Sequence, residues 1–308
     1  MKLAALDVGT NTVLMLVAEC TNGCEVRPLK DLSRITRLGR GVEQSGYLDP
    51  DSANFTLATI KDFVSQAREL GAQKFLTAAT SALRQARDGA EFIAKVRAET
   101  GVTLEIISGE TEAYLSYLAS VRGFKLDPEY HLLIIDIGGG STELIFARPG
   151  RPLALTSLEL GSVRLTERIV KHDPPTAAEN LELERTVDET LASLGWDFHP
   201  DLAIGIAGTV TTLASLALEL DRYDHAAVHG LKLSRERVVE LLGRLRTLNL
   251  EQRKALPGMV EGRADVIIAG VTILERILSH FGTEHLLVSD QGVRWGLIWH
   301  ELDRLSPA

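Results

Sequence analysis

Two segments of the chain share one pattern of apolar and polar positions. Each has an apolar run, an Asp, a glycine-containing turn with hydroxyl side chains, and a second apolar run. The two copies are Leu6–Thr12 and Ile135–Ser141. Apolar runs joined by a tight glycine turn are typical of β-hairpins. The repetition predicts two related domains, because a repeated pattern implies a repeated structural unit.

Strand and helix patterns alternate after each predicted hairpin. After the first, the pattern predicts strands near 25–29, 74–78 and 102–107 and helices near 52–70, 90–99 and from 109. After the second, it predicts strands near 153–160, 202–207 and 285–289, and helices near 163–171, 177–194, 234–246 and 264–281, from 210, and at the end of the chain. Such alternation indicates an α/β fold with largely parallel strands beyond the hairpins.

The segment Arg122–Pro128 carries Gly and Pro between a predicted helix and a buried strand. Such residues mark a boundary, which predicts domains at 1–124 and 125–308. The last helix, about 293–305, is a candidate for packing back on the first domain. Two similar domains without a long linker predict a cleft between them.

Composition and charge narrow the function classes. The chain has 308 residues, 45% hydrophobic residues and a net charge of −9. This acidic balance disfavours a general nucleic-acid binder, which needs positive charge to neutralise phosphates. No apolar run approaches the ~20 residues of a membrane span. The two cysteines suit a reducing compartment, and we expect a cytoplasmic protein without a membrane partner.

The glycine turns point to anion binding. In the second copy, Gly138–Gly140 would let backbone N–H groups converge on an anion, with Ser141 and Thr142 adding hydroxyl donors. Asp7 and Asp136 precede the two turns. A carboxylate beside a phosphate is repulsive unless it holds a cation such as Mg²⁺ or orients water. The alternative is an ordinary hairpin turn, which the duplication makes less attractive.

Two further segments are open to a structural and a functional interpretation. Ala207–Thr212 follows an apolar strand and opens a helix, which suits either an anion site or a simple Thr cap. Ile106–Ala113 brings Glu110 and Glu112 into the first turn of a helix. There they either stabilise the helix dipole or supply a general base.

These motifs together resemble a known family. D-V-G-T-N-T, T-S-A-L-R-Q-A, I-S-G-E-T-E-A, D-I-G-G-G-S-T-E, G-T-V-T-T and R-A-D-V-I-I-A-G are similar, in this order, to the motifs of the exopolyphosphatase/guanosine pentaphosphate phosphohydrolase family. The resemblance covers nearly the whole chain. It implies an α/β fold of two similar actin-like (ribonuclease H-like) domains flanking a cleft. The longer members have an extra C-terminal helical domain, which we do not expect for this chain.

The resemblance also implies roles for individual residues. Glu112 matches the catalytic base, with Glu110 as the weaker candidate. Asp136 and Glu143 match catalytic acidic residues near a divalent metal, taken as Mg²⁺, with Asp7 as a further metal candidate. The phosphate-binding positions are Asn11, Thr12, Arg84, Gly138, Gly139, Gly140, Ser141, Gly208 and Thr209.

A basic segment is a candidate guide for a polyanion. Arg34, Arg37 and Arg40 are three residues apart, which is not a clean strand face, and as a loop they could present guanidinium groups to phosphates. The alternative is a solvated charged loop. Further, lower-ranked candidates are Arg164, Arg168, Arg253, Lys254 and Arg263.

The predicted activity is Mg²⁺-dependent release of terminal phosphate from inorganic polyphosphate. Guanosine pentaphosphate is the alternative substrate, since it ends in the same phosphoanhydride. An ATP-dependent kinase and a nucleotide-regulated binding module of the same superfamily are further alternatives. A homodimer is compatible with the sequence, because two-fold dimers are the commonest assemblies.

Overall fold

In a computed structural model, residues 1–21 and 25–305 are described. They form two compact units. The first contains residues 1–119 and the chain from 293 onward, and the second contains residues 120–292.

The first unit is built on a four-stranded sheet of order β3-β2-β1-β4. Its strands are β1 (Lys2–Val8), β2 (Thr12–Cys20), β3 (Val26–Ile35) and β4 (Lys74–Ala79). β1 and β2 form the first predicted hairpin, whereas β1 and β4 are parallel. Asp7 therefore lies at the carboxyl end of β1, opposite Ala78 near the end of β4.

Helices cover this sheet and supply about half of its buried core. They are α1 (Val42–Ser45), α2 (Pro50–Glu69), α3 (Ser81–Gln85), α4 (Gly89–Thr100) and α5 (Gly109–Gly123). The start of α2 is fixed locally: Asp49 accepts a hydrogen bond from the Ser52 amide and Pro50 is the first helical residue. Ile60, Phe63 and Val64 on α2 pack into the core formed with β1 and β2.

The second unit repeats the hairpin within a six-stranded sheet of order β7-β6-β5-β8-β10-β9. Its strands are β5 (Leu132–Ile137), β6 (Thr142–Arg148), β7 (Arg151–Leu158), β8 (Leu202–Ile206), β9 (Lys232–Ser234) and β10 (His285–Val288). β5, β8 and β10 are parallel, so their carboxyl ends meet at one edge. Ligands of α/β proteins bind outside such an edge.

The remaining helices include a last one that belongs to the first unit. They are α6 (Ser162–Ile169), α7 (Ala177–Ala192), α8 (Ala207–Ala217), α9 (His225–Val228), α10 (Arg235–Thr247), α11 (Leu250–Lys254), α12 (Ile267–His280) and α13 (Val293–Leu305). α12 is the central core helix of the second unit and is buried along most of its length.

α13 is anchored to the first unit by ion pairs. Buried Arg294 donates to both carboxylate oxygens of Asp31 on β3, at 2.8 and 2.9 Å. Lys74 on β4 donates to Glu301 at 2.7 Å. The two units divide between residues 119 and 120, within α5, whereas the boundary predicted from sequence is at 124/125.

The hairpins, the repeat and the α/β class are confirmed, whereas the strand predicted at 102–107 is wrong and the strand predicted near 25–29 is longer than expected. Residues 102–107 form only an isolated bridge between Ile106 and Ala79. Their alternation has another cause, because Val102 and Leu104 are buried in the core without a strand ladder. The strand predicted at 25–29 is β3, which continues to Ile35 and pairs along β2.

Candidate active site

The two hairpin turns have the same hydrogen-bond geometry. The Gly9 amide donates to the Thr12 carbonyl at 3.0 Å, and the Gly138 amide donates to the Ser141 carbonyl at 2.9 Å. A Cβ atom at either glycine would lie 3.1 Å from that carbonyl oxygen. The duplicated motif is therefore a duplicated turn.

In the second unit, the segment after β7 holds the carbonyl groups of the turn. The amides of Ser162 and Val163 donate to the carbonyls of Gly138 and Gly139, at 3.0 and 2.9 Å. The Arg164 side chain donates from Nε to the Gly140 carbonyl at 2.7 Å. The first turn of α6 thus fixes the loop, and across residues 1–21 and 25–305 no acceptor pairs with the amides of Gly139 or Gly140.

The first unit holds its turn in the same way, with the segment after β3. The amides of Thr36 and Arg37 donate to the Asn11 carbonyl at 2.9 and 3.0 Å, and the Gly39 amide donates to the Thr10 carbonyl at 2.8 Å. Arg37 takes a positive φ of 56° to do so. The Asn11 Nδ2 atom is buried and has no hydrogen-bond partner among the described residues. Such a donor is suited to an anion oxygen.

The acidic residues of the two hairpins differ. In the second unit, Asp136 on β5 lies directly opposite Glu143 on β6. Side chains at directly opposite positions share one face, with Cβ atoms about 5 Å apart. Both residues are buried, and Glu143 also accepts a hydrogen bond from Ser157 at 2.6 Å. In the first unit, Asp7 lies opposite Leu14, so the equivalent pair of facing residues has only one carboxylate.

Glu112 is held by Arg84. Arg84 Nη1 donates to Glu112 Oε2 at 2.9 Å and to the Ile107 carbonyl at 2.8 Å. Glu112 lies in the first turn of α5 and is buried, whereas Glu110 in the same turn is exposed. The structure therefore distinguishes two glutamates that the sequence pattern treats alike, and it joins two of the predicted site residues in one ion pair.

The turn from β8 into α8 brings a guanidinium group to the same edge as Asp136. Ala207 has a positive φ of 67°, and a Cβ atom at Gly208 would lie 1.9 Å from Arg263 Cζ. Burial lowers the pKa of Arg263 to about 10, although Asp265 and Tyr223 favour its charge. Thr209 is buried and packs against Gly270 of α12.

The loop interpretation of the basic segment is wrong for Arg34. Arg34 lies in β3 opposite Val13, and its side chain bridges to Asp62 of α2 at 3.0 Å and stacks on Phe63. Arg37 and Arg40 lie in the turn that follows, where Arg37 supports the first hairpin. Polyanion binding by these arginines stays a prediction.

The described part of the chain contains neither a cluster of metal-binding side chains nor a membrane-spanning helix. Residues 1–21 and 25–305 contain no group of three or more His, Cys, Asp or Glu side chains arranged to hold a metal. Within the same ranges, no helix has the length and apolar character needed to cross a bilayer.

Comparison with known proteins identifies the family. The Ppx/GppA phosphatase family model matches residues 16–305. The chain belongs to this family. It is accordingly a phosphoanhydride hydrolase, which confirms the resemblance seen in the motifs.

Individual relatives match along their whole length. Exopolyphosphatase 2 of Mycobacterium tuberculosis is 33% identical, with 96% of this chain and 97% of the relative covered. The crystal structure of the Aquifex aeolicus Ppx/GppA family member matches with a TM-score of 0.85 at 31% identity, covering 100% and 99% of the two chains. An exopolyphosphatase from Cytophaga hutchinsonii matches with a TM-score of 0.91 at 27% identity, covering 99% and 98%.

The structure groups the predicted residues by unit. The second unit gathers Asp136, Gly138–Ser141, Glu143, Gly208 and Thr209 near the carboxyl ends of β5 and β8. In the first unit, Asp7, Asn11 and Thr12 belong to the first hairpin, and Arg84 and Glu112 form their ion pair beyond β4. Sequence reasoning missed Gly39 and Gly161, whose only signal is a glycine shortly after the third strand of each repeat. It named Arg164 only as a lower-ranked basic candidate, without its contact to the glycine turn.

Proposed function

We propose that the chain is an exopolyphosphatase that removes the terminal phosphate from inorganic polyphosphate. The observation that carries the proposal is the pair of buried carboxylates, Asp136 and Glu143, beside the triple-glycine turn. Relatives named exopolyphosphatase align along the full chain, which favours polyphosphate as the substrate. We place the reaction in the cytoplasm, in line with the sparse cysteines of the sequence.

The carboxylate pair fits a divalent cation. Like charges at directly opposite strand positions are unfavourable, and a cation between them removes the repulsion. Mg²⁺ is bound through one or two carboxylates together with substrate phosphates and water, so two protein ligands are sufficient. Asp136 and Glu143 would hold it, with Asp7 as a further candidate. When bound, the ion neutralises charge on the phosphate oxygens.

The turns bind the phosphate groups in this account. Their carbonyl groups are held from behind, and the amides of Gly139 and Gly140 are not used by the described residues. Amides in a fixed turn stabilise negative charge without reorganisation. Asn11, with its buried and unmatched Nδ2 donor, would contribute from the first hairpin. Gly208 and Thr209 keep their predicted phosphate-binding roles as part of this proposal.

Glu112 acts as the general base. Its carboxylate accepts the proton of the water that attacks the terminal phosphorus. The bond from this phosphorus to the bridging oxygen breaks, so the shortened polyphosphate chain is the leaving group and the terminal group becomes free phosphate. Arg84 holds the Glu112 carboxylate in one orientation and carries charge suited to the phosphoryl group. Arg84 has two amino groups, and Nη1 makes the contacts to Glu112 and to the Ile107 carbonyl. The guanidinium group can therefore contact the general base and a phosphate at the same time.

Guanosine pentaphosphate is the second candidate substrate, because it ends in the same phosphoanhydride and the family name covers both activities. That assignment would make the chain part of the stringent response. The kinase and binding-module alternatives are not favoured by the comparisons, since the matched family is one of phosphatases.

The experiment is phosphate release with Mg²⁺ from long-chain polyphosphate, guanosine pentaphosphate and ATP in parallel. We expect the highest kcat/KM with polyphosphate and loss of activity when Mg²⁺ is chelated. A preference for guanosine pentaphosphate would replace the proposed substrate. No release from any of the three would contradict the proposal.

A further inference from the structure

A second cluster of polar side chains lies beyond the carboxyl end of β10. Asp290 follows this strand, and the preceding residue Ser289 donates its amide to the Gly205 carbonyl of β8 at 2.8 Å. The segment is thus an extension of the sheet edge and has a fixed position.

Asp290 connects two aromatic side chains. Its Oδ1 atom accepts a hydrogen bond from the Tyr223 hydroxyl at 2.7 Å, and its Oδ2 atom contacts Nδ1 of His225. The two rings meet edge to face with centroids 4.9 Å apart. Asp290 is largely buried, with 16% of its side chain exposed, whereas the His225 side chain is 55% exposed. A buried carboxylate therefore orients an exposed imidazole by one ring nitrogen.

The cluster and the carboxylate pair lie at the same edge of the sheet but at separate places. Asp136 lies at the end of β5, and β8 separates β5 from β10 in the sheet. Neighbouring strands are about 4.8 Å apart, which places the end of β10 roughly 10 Å from the end of β5. A group bound at His225 is therefore not the one bound at Asp136. Both lie outside the carboxyl ends of parallel strands, where α/β proteins bind ligands.

The charges around His225 favour the imidazolium. Asp290 contacts the ring, and Asp224 precedes it as the cap of α9. A nearby carboxylate favours the charged form of histidine. Arg263 lies near Tyr223 and opposes that charge from farther away, and His229 faces the backbone of Asp290, accepting its amide proton at Nδ1. An imidazolium held by a carboxylate is a directed donor to a phosphate oxygen.

We propose that His225, oriented by Asp290, binds a phosphate group of the substrate beyond the scissile one. The inference rests on the proposed function, because a chain of phosphates is what would reach both places. Two sources supply such a group: the inner phosphates of polyphosphate, or the additional phosphates of guanosine pentaphosphate. The competing explanation is structural, with the cluster only pinning α9 to the segment after β10.

The test is His225→Gln, which keeps a polar side chain but loses the charge. For long-chain polyphosphate at about pH 6, we expect KM to rise about tenfold, because one charge-assisted hydrogen bond is lost. The kcat should stay within about twofold of the wild type. The difference should shrink as the pH is raised and the imidazolium loses its proton. His199→Gln is the matched control, since both His199 and its ion-pair partner Asp197 are exposed.

Substrate length distinguishes the sources and the structural explanation. Pyrophosphate is expected to be insensitive to His225→Gln, because its single further phosphate is too close to the scissile one to reach a site roughly 10 Å away. Guanosine pentaphosphate responds only if its additional phosphates occupy the site. An unchanged KM for every substrate, or an equal fall in kcat for long and short ones, would overturn the proposal.

A direct binding measurement separates this inference from the proposed function. Titration of fluorescently labelled polyphosphate should give about tenfold weaker binding to His225→Gln, and a smaller loss for Asp290→Asn, which keeps the hydrogen bond. If the wild type hydrolyses no substrate but binding still weakens, the proposed function fails and the subsite stands. Equal binding by wild type and variant overturns the subsite.

Discussion

At the residue scale, Gly161 determines whether the triple-glycine turn can form. A Cβ atom at Gly161 would lie 2.2 Å from the Gly139 carbonyl oxygen and 2.5 Å from the Gly140 carbonyl carbon. These are backbone atoms of the proposed phosphate-binding turn, so they cannot move aside without changing its shape.

We therefore expect Gly161→Ala to lower kcat/KM for phosphate release at least about tenfold, since small misplacements of binding groups have effects of this size. Gly243→Ala is the matched control, because no atom lies within 4 Å of its added Cβ in α10. It should retain activity and gain roughly 0.5–1 kcal/mol of unfolding free energy. Full activity of a folded Gly161→Ala variant would contradict the role of the turn.

The same scale shows what the sequence can and cannot reveal. Gly138–Gly140 and Asp136 were predictable, because a turn and its preceding strand are local features. Gly161 was not, since its constraint arises from contact with residues more than twenty positions earlier. Glu112 was separated from Glu110 only by the family resemblance, and burial and the Arg84 contact now distinguish the two.

At the element scale, α7 begins with a capping box. Thr176 and Glu179 bond to each other's backbone amides, and Glu179 also contacts His172 and the Lys171 amide. Burial opposes ionisation of Glu179, but these hydrogen bonds outweigh it and lower its pKa from 4.5 to about 2. Its contribution to stability is therefore complete above about pH 4.5 and is lost as the pH falls through about 2.

Glu179→Gln should lower the unfolding free energy by about 1 kcal/mol at neutral pH, a typical cap contribution. The difference from the wild type should vanish near pH 2. Glu182→Gln, an exposed change on the same helix, should cost less than about 0.5 kcal/mol. Urea unfolding across this pH range measures both, and a pH-independent difference would argue against the assigned contacts.

At the element scale, local sequence patterns led to two wrong predictions. The alternation at 102–107 reflects core packing of Val102 and Leu104. The spacing of the basic segment predicts a loop at Arg34, although β3 extends through it. In both places, pairing with a distant strand decides the structure, and a single sequence does not contain that information directly.

At the scale of the whole molecule, the repeat is unequal. The second unit has the carboxylate pair Asp136 and Glu143, whereas the first has Leu14 opposite Asp7 and instead supplies Glu112 and Arg84. The duplication predicted from sequence thus gives two similar scaffolds with different chemistry. The return of α13 to the first unit depends on pairs such as Arg294–Asp31, which link residues far apart in sequence.

Arg294→Ala should reduce the unfolding free energy by about 3 kcal/mol, because it leaves Asp31 without its bidentate partner in a largely buried site. Arg304→Ala, on the same helix but exposed, should change it by less than about 1 kcal/mol. Equal effects in chemical denaturation would show that the buried pair is not what anchors α13.

The central claim is that Glu112 is the base for attack on a terminal phosphoryl group. The direct measurement is the steady-state rate of phosphate release from polyphosphate by Glu112→Gln, with Glu110→Gln as the matched control from the same helical turn. We expect kcat to fall about 10²–10⁴-fold for Glu112→Gln, as for loss of a general base, with little change for Glu110→Gln. Wild-type turnover by a folded Glu112→Gln variant would contradict the account.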